Sequence, residues 1–86
     1  MGHLEVFNRK QCIKALLKIG FFRKRTRRGS HDKYVPPEIY LKNRIHNQPP
    51  FIMVPRSRNL HCQREIVKEL WNLGGDDLVS TFEEYL

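Results

Sequence analysis

The stretch RKRTRRGSHDKY, residues 23–34, gathers the side chains of this chain best suited to act on a charged substrate. Five cations, Arg23, Lys24, Arg25, Arg27 and Arg28, occupy five of six consecutive positions; Gly29 and Ser30 follow, and His31 stands two residues before Lys33. Guanidinium and ammonium groups hold phosphate oxygens through charge-assisted hydrogen bonds. An imidazole, which in general titrates at about pH 6.5, supplies acid–base help of typically about 10²- to 10⁴-fold. RNA carries its own nucleophile, the 2′-hydroxyl, so removing that proton, offsetting charge on the crowded phosphate and protonating the departing 5′-oxygen cut it without a metal. The competing reading is structural: a lone histidine at a strand start, beside a charged run that only keeps the surface solvated.

The neighbours divide the same way. Lys33 with Arg25, Arg27 and Arg28 is read as the phosphate-holding set. Ser30 is either a further donor to phosphate or a turn former, and Gly29 serves turn geometry alone. Tyr34 either stacks on a base or packs in the core, with packing the stronger reading. The remaining histidines and cysteines, His46, His61, Cys12 and Cys62, show no Cys-x-x-Cys or His-x-x-x-His spacing, so neither a metal site nor a cofactor is expected. His61 is read as a capping or surface residue, and Met53 and Trp71 as core. No glycine-rich phosphate loop, nucleophile elbow or carboxylate pair occurs.

The chain that must position these groups is short. Its 86 residues accommodate one domain with a thin core. A composition of 40% apolar and 29% charged residues is that of a globular protein, not a disordered one. Two cysteines are too few for a disulfide framework and point to reduced thiols in the cytoplasm. No apolar run exceeds four residues, which argues against a membrane span or a secretory leader. The net charge of +7 is unevenly spread: residues 1–44 hold twelve Lys and Arg against three acidic residues, a net of +9, and residues 45–86 hold four against six, a net of −2. A basic half of this kind favours a polyanion through counterion release.

Punctuation and periodicity give the elements. Asn8 and Gln11 form a capping box behind Phe7, opening a helix whose stripe is Cys12, Ile13, Leu16 and Leu17 and whose end is Gly20. Phe21 onward and Ser30–Val35 read as two antiparallel strands around a turn at Gly29. The segment 36–50, with prolines at both ends, reads as an insertion-like loop anchored by Ile39, Tyr40 and Leu41. Phe51–Val54, closed by Pro55, is a third strand, and Ile66, Val67, Leu70, Trp71 and Leu73 mark a second long helix. Gly74 and Gly75 end that helix, and Asp76 or Asp77 caps a short last one. The expectation is an α+β fold with a three-stranded antiparallel sheet, helices on one face and the other face open. Period two then puts Asp32 and Tyr34 on one side of the second strand and His31, Lys33 and Val35 on the other. If Tyr34 packs inward, His31 and Lys33 emerge together on the open face.

The ordered set of a helix, GFF (residues 20–22), a basic run ending in GSHDKY (29–34), IMVPRSRN (52–59) and LWNLGGDDLVSTFEEYL (70–86) resembles the HicA toxins, or YcfA-like mRNA interferases. The resemblance covers residues 8–86 as one domain and leaves residues 1–7 as an N-terminal extension, in part a cloning remnant. It implies a double-stranded-RNA-binding-domain-like α-β-β-β-α fold with a short C-terminal helix. It further implies a cytoplasmic endoribonuclease of a toxin–antitoxin system that cuts mRNA, with His31 at the family's functional histidine, and neutralisation by a HicB-like antitoxin. Two departures stand out: the long 36–50 segment, and Asp32 where family members often carry histidine or a basic residue. A non-catalytic RNA-binding module of the same fold is the alternative.

Overall fold

A computed structural model of the chain describes residues 7–24, 31–42, 45, 47–56 and 62–86. The first helix, α1, spans Arg9–Ile19 and starts on the capping box expected from sequence: the Gln11 N–H donates to Asn8 Oδ1 at 2.8 Å, and the Asn8 N–H to Gln11 Oε1 at 2.9 Å. It ends on Gly20 at φ 117°, a left-handed conformation that favours glycine. From there the Gly20 and Phe21 N–H groups return to the carbonyls of Leu17 and Leu16, at 3.1 and 3.0 Å. This is the Schellman arrangement, and it turns Phe21 into the core with Leu16. Cys12, Ala15 and Leu16 are the buried face of α1; Leu17, about 100° further round, is exposed.

Strands β1 (Phe22–Lys24), β2 (His31–Val35) and β3 (Ile52–Pro55) form an antiparallel sheet in the order β1-β2-β3. Arg23 stands opposite Tyr34, Lys24 opposite Lys33, Asp32 opposite Val54, and His31 opposite Pro55. Alternation decides the faces. Asp32, Tyr34, Ile52 and Val54 are buried under the helices, so Met53, between two buried residues, is only half-buried and belongs to the other face rather than the core.

The segment 36–50 is not a plain loop. A five-residue helix, α2 (Glu38–Lys42), follows Pro36 and Pro37, so the order is α-β-β-α-β-α rather than α-β-β-β-α. Its anchor is Tyr40, which packs on the core, while Ile39 is exposed. The stretch after it is fastened by polar groups: the Ile45 N–H donates to the Asn72 carbonyl at 2.8 Å, and Asn72 Nδ2 donates to Gln48 Oε1 at 3.0 Å.

The last helix, α3, spans Gln63–Tyr85 and buries Ile66, Leu70, Leu73, Leu78 and Phe82. Gly75, at φ 68° and ψ −159°, breaks it into two segments, where the glycine pair predicts an end. Gly74 lets α2 approach: a Cβ there would lie 2.8 Å from Tyr40 Cδ1 and 2.6 Å from Leu78 Cβ. Trp71, expected in the core, is 47% exposed because Ile66, Leu70 and Leu73 already define the buried stripe; its indole N–H donates to Asp76 Oδ1 at 3.1 Å. Phe82 meets Phe7 edge-to-face at 5.3 Å, joining the start of the fold to its end. Among the described residues no helix is long and apolar enough to cross a membrane.

Candidate nucleic-acid interface

The sheet face turned away from α1 and α3 carries Phe22 and Lys24 from β1, His31, Lys33 and Val35 from β2, and Met53 and Pro55 from β3. Inward packing of Tyr34 produces this, since two-residue alternation then sends His31 and Lys33 outward. His31 is exposed at one end of the face, and Lys33 is half-buried beside it. Lys24 lies directly opposite Lys33, a like-charge pairing that weakens a sheet by a few tenths of a kcal/mol. None of the acidic side chains described is on this face: Asp32 points under the helices, Glu38 is on α2, and the other six are on α3.

Lys33 is not aimed at His31. Its Nζ sits 4.6 Å from the centroid of the Phe51 ring, a cation–π contact worth about 0.5–1 kcal/mol at an exposed site. Phe51 precedes Ile52, the partner of Tyr34, so the ammonium leans toward the Val35 end of β2, away from His31. Reaching a phosphate at His31 requires it to leave that ring. Tyr34 is core, and burial pushes its phenol up, so it is neither a stacking platform nor a base. Of the remaining predicted residues, Arg25, Arg27, Arg28, Gly29 and Ser30 lie outside the described residues, as do His46 and His61.

Behind the same end of the sheet is a cluster that sequence reasoning missed. The Asp32 carboxylate, 6% exposed, takes Arg9 Nη2 at 3.3 Å on Oδ2 and Arg56 Nε at 3.0 Å on Oδ1. Arg9 also donates from Nε to the Pro55 carbonyl at 2.6 Å, clasping the outer edge of β3. A cleft of about 550 Å³ opens there, lined by Asn8, Arg9, Lys10, Ile13 and Arg56. The only sequence signal was an acidic residue at an inward-facing strand position, which requires a cationic partner from elsewhere in the chain.

Farther along that edge, the Met53 N–H donates to the carboxylate of Glu69, whose Oε1 is buried with no partner among the described residues. Burial pushes the Glu69 carboxyl up, with Glu65 adding to the rise. Cys12 and Cys62 are both free thiols; Cys12 is buried and pushed up to about 12, chiefly by desolvation. No group of three or more metal-ligating side chains occurs among the described residues. No family model, curated protein or solved structure matches the chain.

Proposed function

We propose that this protein is a HicA-like toxin, a cytoplasmic endoribonuclease that cuts mRNA without a metal and is held in check by a HicB-like antitoxin. The observation that carries the reading is the sheet face turned away from α1 and α3, which carries His31, Lys24 and Lys33 with no described carboxylate among them. In this reading the fold is a double-stranded-RNA-binding-domain-like arrangement into which α2 is inserted between β2 and β3.

The chemistry uses the RNA's own hydroxyl. The His31 imidazole takes the 2′-hydroxyl proton as the 2′-oxygen attacks phosphorus, and the bond to the 5′-oxygen breaks. Water protonates the departing oxygen, and the imidazolium returns its proton to solvent. Lys24, and Lys33 once it has left the Phe51 ring, hold the phosphate and offset its charge together with Arg25, Arg27, Arg28 and Ser30. The products are a 2′,3′-cyclic phosphate and a 5′-hydroxyl. Purified protein therefore cuts single-stranded RNA in EDTA and leaves those ends, and a 2′-deoxy substitution at the cut linkage blocks it. Cleavage only with an added divalent cation, or 5′-phosphate ends, would refute the scheme.

The non-catalytic alternative draws on Lys33, which stacks on Phe51 rather than facing His31. An RNA-binding module predicts salt-sensitive RNA affinity and intact RNA after prolonged incubation.

A further inference from the structure

The cleft behind the sheet uses residues that the cleavage chemistry does not. Arg9, Lys10 and Arg56 line it, and among the described residues Asp32 is the acidic side chain paired with the two arginines. The first turn of α1 contains no acidic residue, so these cations oppose the helix dipole as well as one another. Lys10 is exposed and has no acidic partner among the described residues. The two guanidinium groups, by contrast, are fixed: Asp32 is buried between them, and the Pro55 carbonyl anchors Arg9. Ile13 gives the cleft an apolar wall, which suits a sugar or a base face.

Its place relative to His31 is set by the sheet. Pro55 stands opposite His31, Arg56 follows Pro55, and Asp32 follows His31 on the other face. The cleft and the imidazole therefore flank the same end of β2 and β3, one on each side.

We infer that the cleft of Asn8, Arg9, Lys10, Ile13 and Arg56 is a backbone-phosphate subsite for RNA, gripping a nucleotide next to the linkage presented to His31. Asp32 is its positioning residue, holding both guanidinium groups in place. This rests on the reading of the protein as an RNA-cutting enzyme and adds a second contact, across the sheet end, to the path of the strand.

The test uses the full chain carrying His31→Ala, so that RNA is bound and not consumed. Anisotropy of a short fluorescein-labelled single-stranded RNA is followed from about 50 to 200 mM KCl. Lys10→Gln and Arg56→Gln should each weaken binding about three- to tenfold and flatten the dependence of log K on log salt by about 0.7, the single-strand value for one phosphate contact. Lys68→Gln, on α3, should change neither. Arg56→Gln also disturbs Asp32 and is judged only if its melting curve stays cooperative; Lys10→Gln, which breaks no ion pair of the described residues, decides in either case. Unchanged affinity and slope in Lys10→Gln, with Lys33→Gln weakened, overturns the subsite while the open-face reading stands. No binding by the parent removes both. A Lys10→Gln variant that keeps its RNA affinity and loses binding of a polyglutamate peptide makes the cleft a protein-docking site and also overturns the inference.

Discussion

Asp32→Ala tests the polar cluster that ties α1 to the sheet. The carboxylate is 6% exposed and receives two guanidinium groups at 3.0 and 3.3 Å. Removing one member of a fully buried ion pair costs about 3–5 kcal/mol, because the other is left charged and desolvated. Here the partners retain part of their hydration: the Arg9 side chain is 26% exposed and that of Arg56 is 45%. Both can turn further toward water, which brings the expected loss down to about 2–3 kcal/mol. For a domain of this size that corresponds to a fall in Tm of about 10–20 °C. Urea unfolding followed by circular dichroism measures it, with an unchanged m value as the check that the same surface is exposed. A second arm separates the ion pairs from the loss of side-chain volume: in an Arg56→Gln background, Asp32→Ala should cost clearly less than in the parent. A loss below about 0.5 kcal/mol, the range of ordinary surface substitutions, or full additivity of the two changes, would refute the reasoning.

Other outcomes follow from single positions. Gly75→Ala should destabilise by about 1–3 kcal/mol through backbone strain alone, since a Cβ there meets nothing within 4 Å; D-alanine introduced by chemical synthesis should recover most of the loss, and no recovery would contradict the account. Gly74→Ala should cost about 1–3 kcal/mol by overpacking against Tyr40 and Leu78, and a Tyr40→Ala background should relieve part of that in the same unfolding assay. Glu69 has a raised folded-state pKa, so its contribution is fully present below the ordinary glutamate value of 4.5 and is lost as pH rises through the raised value. Glu69→Gln should therefore be the more stable protein at pH 7, with its advantage in Tm shrinking as the pH is lowered toward 4; a constant difference would count against this. Cys12, pushed up to about 12, should react with a disulfide reagent at pH 8 only as fast as the protein opens, and labelling at the rate of an unfolded-chain thiol would show that the thiol is not buried.

What could be read in the sequence was what short-range chemistry dictates. Asn8 and Gln11 meet within one helical turn, Gly20 terminates the helix it follows, and the glycine pair breaks the last helix. The face carrying His31 was legible because period two needs only one reference residue, and Tyr34 supplied it. The helix α2 was not legible: five residues hold no usable periodicity, and its position depends on Tyr40 resting over Gly74, more than thirty residues away in the chain. The Arg9–Asp32–Arg56 cluster escaped for the same reason, since its members are 23 and 24 residues apart and meet only after the sheet has formed. Trp71 was misread because bulk and hydrophobicity favour burial on average, whereas the other apolar positions of α3 had already filled the buried stripe.

Comparison of His31→Ala with the parent in single-turnover RNA cleavage, in EDTA and at saturating protein, tests the central claim most directly. The account predicts a rate lower by about 10²- to 10⁴-fold, with RNA affinity changed by no more than a small factor. Equal cleavage rates in the two proteins would contradict it.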